Sequence, residues 1–454
     1  MQRVLRFTQA PLAPYFSEYT VLRRKIEEMR ISARTFTLGD KRSMARQNRG
    51  TAHAGQGARH GRLRRSATWA NLLKVALTAV IVFAVSGVSV AAYAVWGLVR
   101  EAEVINLGPV EPQAQAVDAG AQTLNGELNI LLVGSDSRAG SILDDGEEGE
   151  LNDVNLLLHV PADHKSATII SFPRDLMVPI PSCPGPDGEP EYYASMSEQQ
   201  LNSAMMYGGI PCVAATISEL TGIEIPYAAM VTFDGVINIS NAIGGVEVCL
   251  AQPIQDEATG LDLPEGNVTL QGIQALQFLR TRYGVGDGSD VSRISNQQVF
   301  MSALLRQMRS AETLSNPVKV YGLAKAGFES MTLSSSMASV QFMQALAGTV
   351  VDIDLERVNF VQYPSYAHPY NPGRLSPDRY SAEALMNAVL SGEPFEVGGH
   401  GRAAVEGAAE EPAAEAPVDG EGEVVEAPSV TVLPGNVTGQ SAADVTCSAG
   451  RTEW

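Results

Sequence analysis

Residues 75–96 (VALTAVIVFAVSGVSVAAYAVW) run 22 positions without a charged side chain. A helix of that length is enough to cross a hydrocarbon core of roughly 30 Å. Everything else in the chain is therefore organised on one side or the other of it. Arg62, Arg64, Arg65 and Lys74 precede the run, and Glu101 and Glu103 follow it. The excess of cations places the N-terminus in the cytoplasm and the residues after about 100 outside. Trp69, Tyr93 and Trp96 stand where interfacial aromatics belong. A cleaved signal peptide is the competing interpretation, but the run is long and begins far from the N-terminus. The sequence thus predicts a single-pass signal anchor over 71–99, a basic cytoplasmic arm over 1–70 and an extracytoplasmic remainder in the cell membrane.

Charge divides at the same place. Residues 1–74 hold 16 Lys and Arg against 4 Asp and Glu, a balance of +12, whereas the rest is at −31, for a total of −19. An acidic body with few arginines has no basic stripe for nucleic acid, which is excluded as a partner. The arm is too short and irregular for a helix-turn-helix. All four cysteines (Cys183, Cys212, Cys249, Cys447) lie beyond the apolar run, where disulfides persist. Three pairings are possible. Cys183–Cys212, closing a Pro/Gly-rich excursion, with Cys249–Cys447 tethering the tail, is favoured. No Cys-x-x-Cys or His cluster suggests zinc.

Composition then assigns a stalk to 100–125, one large domain to 126–395, an acidic disordered linker to 396–430 and a C-terminal tail to 431–454. Within the domain, apolar runs predict strands at 128–133, 154–160, 168–172, 228–233, 246–250, 278–283 and 358–363. Helical spacing appears at 201–220, 236–242, 272–276, 292–310, 318–329, 336–350 and 381–390. Several strands are apolar on both faces, which suits an α/β fold with a mixed central sheet flanked by helices.

The chemistry concentrates in three places. The stretch FLRTRYGVGDGSDVSRISNQQ (278–298) holds Arg280, Arg282 and Arg293. If 278–283 is extended, Arg280 and Arg282 leave one face of a strand. Arg293 and Gln297 are one helical turn apart. Forked cations from two elements around a Gly/Asp loop suit a polyanion such as pyrophosphate, the alternative being separate surface ion pairs. Asp136 follows the first strand and Asp153 heads the second. Two carboxylates on neighbouring strand ends can share a hard cation such as Mg²⁺, or can merely cap a turn and a strand end. In Ser171-Phe172-Pro173-Arg174-Asp175, the proline aims Arg174 off a strand end, where it serves either an anion or a loop-fixing pair with Asp175. His159 lies mid-strand in an apolar run and reads as a core or edge residue.

In order along the chain, NILLVGSDSR (129–138), Asp153, SFPRDLMVPIP (171–181), LNSAMMYGG (201–209), TFDGVINISNAIGGVEVCL (232–250), GLDLPEG (260–266), LQGIQALQFLRTRYG (270–284) and DVSRISNQQ (290–298) resemble the LytR-CpsA-Psr family of cell-wall glycopolymer ligases. The resemblance implies an αβα sandwich with an apolar pocket for a polyprenyl chain. It implies transfer of a glycopolymer from a polyprenyl-pyrophosphate carrier to a peptidoglycan acceptor through a phosphodiester. By motif, Asp136 and Asp153 correspond to Mg²⁺ ligands, and Arg138, Arg174, Arg280, Arg282 and Arg293 to pyrophosphate-binding arginines. Gln297 matches part of the Arg-Gln-Gln turn, and Asn202 lies in the matched LNSAMMYGG stretch. The chain departs from the family at three cationic positions, now Leu151, Gln200 and Asn296. Those losses keep two alternatives open, a non-catalytic polyprenyl-phosphate binder and a polyprenyl-pyrophosphate hydrolase.

Overall fold

The computed structural model describes residues 73, 74, 76–79, 97, 103–108, 122–137, 151–185, 192–407 and 430–452. The chain forms two units, residues 1–78 and 79–454. The expected cytoplasmic arm and most of the expected membrane span lie outside the described residues. Among the described residues, no helix is long and apolar enough to cross a membrane.

The second unit is an α/β fold on an eight-stranded sheet. Its strands are β1 (Glu103–Ile105), β2 (Leu128–Ser135), β3 (Asn152–Val160), β4 (Ala167–Phe172), β5 (Tyr227–Val231), β6 (Met331–Ser334), β7 (Val358–Gln362) and β8 (Gly439–Ser441). The order across the sheet is β1-β6-β5-β2-β3-β4-β7-β8. β2–β3 and β3–β4 pair antiparallel, while β2–β5 and β4–β7 pair parallel, so the sheet is mixed. Both faces are buried because successive side chains alternate between them. Leu131, Val133, Leu157 and Ile170 enter one core with helices α1 (Ala204–Thr221) and α7 (Arg379–Ser391). Ile130, Val160 and Phe360 enter another with α6 (Val340–Val350).

Helices α2 (Phe233–Ile243), α3 (Ile273–Arg280), α4 (Asp290–Arg309) and α5 (Pro317–Ser330) complete the elements around the site. Thr232 caps α2 by accepting from the Gly235 N–H, and the helix stops at Gly244 with φ +89°, a conformation favouring glycine. Ser289 caps α4 by accepting from the Ser292 N–H, which places Asp290 in the first turn, where a negative charge complements the helix dipole.

One expected strand is overturned. Residues 278–280 finish α3 rather than begin a strand, and Arg282 follows in a turn. The alternation of Phe278, Arg280 and Arg282 imitates a strand, but Ala275 and Phe278, three apart and both fully buried, set a helical face. Arg280 and Arg282 therefore do not share a strand face.

Both disulfides have the favoured pairing, Cys183–Cys212 and Cys249–Cys447. The latter joins facing residues of two parallel strands in a second, four-stranded sheet, whose order is Gly266–Leu270, Val246–Leu250, Thr446–Ser448, Ala404–Glu406. The tail thus contributes a strand to each sheet, β8 to the first and Thr446–Ser448 to the second.

Candidate functional site

The site forms where β2, β3 and β4 end against α3 and the first turns of α4. The antiparallel register sets Gly134 opposite Val154 and Ser135 opposite Asn152, with an irregularity between, so Asp136 and Asp153 emerge from adjacent strand ends. Asp136 is tied across that end. Its Oδ1 accepts the Leu151 N–H at 2.8 Å, and its own N–H donates to the Leu151 carbonyl at 3.2 Å.

Asp153 is the centre of an ion-pair network. Arg174 Nη1 donates to both of its carboxylate oxygens, at 2.8 and 2.7 Å. The extended residue before Pro173 carries Arg174 off the end of β4 to reach it. Arg293 Nη2 donates to the Asp153 carbonyl at 2.9 Å and stands 2.7 Å from Asp290 Oδ1. The Arg174 N–H donates to Asp290 Oδ2 at 3.2 Å. Asp290 is thus a buried acid shared by two arginines, and both it and Arg293 are only 4 % exposed.

Burial pushes the Asp290 carboxyl up and the Arg293 guanidinium down, and their mutual attraction opposes each shift. Burial also works against the Arg174 charge, but the Asp153 carboxylate, with help from Asp290 and Asp175, outweighs it and raises the Arg174 pKa. Asp175 is held in turn by Gln200 Nε2 at 2.6 Å and by Arg374 Nη1 at 2.5 Å. The Nε atoms of Arg174, Arg282 and Arg293 are buried and lack a hydrogen-bond partner among the described residues. Buried donors of that kind are costly unless satisfied.

Beside this network opens an apolar cavity of about 130 Å³. Leu132, Leu156, Phe233, Val236, Leu276 and Met301 are among its walls, and Asp153, Arg280, Arg293 and Gln297 form its polar margin. Its volume is close to the roughly 150 Å³ of an engineered apolar cavity that takes up benzene. A cavity of that size has room for a short branched hydrocarbon segment. Arg280 sits with its Cζ 4.4 Å over the Phe233 ring, which orients the guanidinium by cation–π attraction at the boundary of apolar wall and charge.

The structure gathers most, but not all, of the sequence candidates. Asp153, Arg280, Arg293 and Gln297 line one cavity, and Arg174 joins through Asp153. Gln297 Nε2 donates to the Leu279 carbonyl and so braces α3 against α4. Arg282 does not line the cavity. Its N–H donates to Asp256 Oδ2 at 3.2 Å, and its guanidinium lies 5.9 Å from the Tyr283 ring centroid. Asn202 contributes its backbone N–H to the Arg174 carbonyl. Arg138 falls outside the described residues.

Of the three replaced cations, Gln200 supports Asp175, Leu151 ties Asp136 through its backbone, and Asn296 points elsewhere. Asn296 Nδ2 donates to the Phe278 carbonyl at 2.7 Å, and its Oδ1 accepts from Ser448 of the tail. Phe233, Asp256 and Asp290 are site residues that the sequence did not single out. Only Asp290 carried a local signal, a carboxylate directly after a helix-capping serine.

Two carboxylates, Asp136 and Asp153, stand at adjacent strand ends. A carboxylate offers about four lone-pair sites, more than the Arg174 contacts of Asp153 use. No cluster of three or more His, Cys, Asp or Glu able to hold a metal occurs among the described residues. Asp136 and Asp153 are the carboxylates that could contribute to a site for an ion completed by waters and phosphate oxygens, as Mg²⁺ is.

The LytR_cpsA_psr family model matches residues 103–377. The cell wall biosynthesis protein LcpA of Corynebacterium glutamicum is 32% identical over 252 residues, 49% of this chain and 48% of that protein. The polyisoprenyl-teichoic acid–peptidoglycan teichoic acid transferase TagU of Bacillus mycoides is 28% identical over 189 residues, 42% of this chain and 55% of that protein. The chain spans about half the length of these curated relatives. Among solved structures, B. subtilis TagV aligns with a TM-score of 0.47 at 20% identity, over 60% of this chain and 98% of that one.

Proposed function

The chain belongs to the LytR-CpsA-Psr family, and we propose that it is a phosphotransferase that moves a glycopolymer from a polyprenyl-pyrophosphate carrier to peptidoglycan. One observation carries this: a cavity with apolar walls whose margin is Arg280, Arg293 and Asp153. A lipid pyrophosphate is a hydrocarbon joined to a polyanion, and such a cavity meets both halves at once. The curated relatives that are teichoic acid transferases support the same substrate class.

A sugar hydroxyl of peptidoglycan attacks the phosphorus that bears the glycopolymer. The new P–O bond forms as the bond to the departing polyprenyl phosphate breaks, and the hydroxyl proton passes to the departing phosphate or to water. Arg280 and Arg293, fixed before the reaction by Phe233 and Asp290, stabilise the charge that builds on the phosphoryl oxygens and the leaving group. Arg174 holds Asp153 in place. Asp136 and Asp153 would hold Mg²⁺, which supplies further charge neutralisation when bound.

We place the α/β unit, taken as an αβα sandwich, outside the cell membrane, with residues 75–96 as a single-pass anchor. The uncharged run, the basic residues before it and the two disulfides support that placement.

The test incubates the full chain in detergent with a polyprenyl-pyrophosphate-linked glycopolymer and Mg²⁺, with and without peptidoglycan. Acceptor-dependent transfer is expected. No turnover in either arm leaves a lipid-binding protein, and turnover indifferent to acceptor makes it a hydrolase.

A further inference from the structure

Residues 284–289 connect Arg282 to the first turn of α4, which carries Asp290 and Arg293. Gly286 and Gly288 there have φ of +49° and +80°. Glycines in that region have little preference for one geometry, so the loop needs outside contacts to fix it. Gly284 packs against Ile254 and Gln255, and further contacts come from two C-terminal segments, both beyond the family match.

Arg402 Nη1 donates to Asp287 Oδ2 at 2.6 Å. Asp287 passes the constraint to α4, since its Oδ1 accepts from the Ser289 N–H at 2.9 Å and from the Ser292 hydroxyl at 2.6 Å. From the tail, the Gly450 carbonyl accepts the Gly286 N–H at 3.1 Å, and the Thr452 N–H donates to the Gly286 carbonyl at 2.9 Å. Arg451 Nη1 donates to the Tyr283 carbonyl at 3.2 Å, next to Arg282. Arg451 packs so closely over Gly288 that a Cβ there would stand 2.1 Å from its Nη1.

The two segments also grip each other and the body. Ala404–Glu406 pairs with Thr446–Ser448, and the Ala449 N–H donates to the Ala403 carbonyl at 2.9 Å. Cys447 is disulfide-bonded to Cys249, and Ser448 donates to Asn296 on α4. Asn296 is the position where a family cation is replaced. Here it serves as a tail anchor.

We propose that residues 400–407 and 446–452 form a clamp that sets the 284–289 loop and thereby the first turn of α4, where Asp290 holds Arg293 for pyrophosphate binding. Arg402 and Arg451 are then positioning residues, and the site is incomplete without the C-terminal segment. The proposal rests on the lipid-pyrophosphate function above.

The test uses the full chain in detergent as wild type, Arg402→Ala, Arg451→Ala and Arg451→Lys. Hydrogen exchange of the 284–289 amides reads the clamp, and the Kd for geranylgeranyl pyrophosphate reads the site. Each alanine variant should speed exchange and weaken binding by about tenfold, the scale of a lost hydrogen bond to a charged group. Arg451→Lys, which keeps a donor for the Tyr283 carbonyl, should restore most of both. Wild-type exchange in both alanine variants overturns the clamp, and faster exchange with unchanged affinity overturns its positioning role. Failure of the wild type itself to bind the probe overturns the lipid-pyrophosphate reading instead, while the exchange rates still decide whether the loop is clamped.

Discussion

Arg174 engages both carboxylate oxygens of Asp153 through a single Nη1, at 2.8 and 2.7 Å. That leaves its other terminal nitrogen outside the Asp153 contact, and its Nε faces Asp290 Oδ1 at 3.5 Å. The guanidinium therefore bridges two acids that come from different elements, the start of β3 and the start of α4.

Replacing Arg174 should reduce transfer far more than it reduces stability. Its side chain is 19% exposed, so water can partly reclaim the acids it leaves. Loss of the side chain that orients Asp153 should cost on the order of a hundredfold in rate, the scale of a misplaced group at a reacting centre. Arg174→Lys should also fall well below wild type, because an ammonium cannot span Asp153 and Asp290 together. Steady-state transfer rates of wild type, Arg174→Ala and Arg174→Lys, with thermal melts alongside, check this. Near-wild-type turnover in Arg174→Lys would remove Arg174 from the site.

The Arg293–Asp290 pair should behave in the opposite way. Both groups are 4% exposed. Arg293→Met leaves a buried carboxylate with weaker compensation, and breaking such a pair costs about 3–5 kcal/mol. Adding Asp290→Leu to Arg293→Met should recover much of that stability without recovering activity, since an apolar pair replaces the ion pair but not its cation. Urea unfolding of the two single variants and the double variant gives the coupling energy directly.

The two disulfides should contribute unequally. They close loops with sequence separations of 29 and 198 residues. In the chain-entropy picture these are worth about 4 and about 5 kcal/mol. Cys447→Ser should thus cost more than Cys212→Ser under non-reducing conditions, measured by guanidinium unfolding. It should also release the tail strand Thr446–Ser448 to proteolysis, which Cys212→Ser should not.

The legible parts of this protein were those fixed by local pattern. The strands 128–133 and 246–250 were readable because their apolar runs are bounded by turn residues, and Val246–Leu250 matches at both ends. That Arg174, Arg280 and Arg293 come together was readable from their company in the sequence. Three things were not. The 278–283 run alternates like a strand, yet Ala275 and Phe278 bury it as the end of a helix. The tail strands are only three residues each, and their pairing is set by partners such as Phe360 and Cys249 far away in the chain. The bridging role of Asp290 exists only after β3, β4 and α4 converge. No spacing within the sequence encodes that convergence.

His159 should give the fold a pH dependence below neutrality. It is 1% exposed, its Nδ1–H donates to Asn129 Oδ1 at 2.7 Å, and its buried Nε2 has no hydrogen-bond partner among the described residues. Burial lowers its pKa, with the Glu127 carboxylate opposing. In the unfolded chain the ring titrates near about 6.5. Between the lowered folded value and that unfolded value, the unfolded state binds the extra proton, so stability rises with pH. The contribution is fully present above about pH 6.5 and is lost as pH falls through the folded value. His159→Gln keeps an N–H for Asn129 and removes the titration. Urea midpoints from about pH 5 to about pH 7.5 should therefore climb in the wild type by more than in His159→Gln. Equal slopes would mean that the buried ring is not the group that responds.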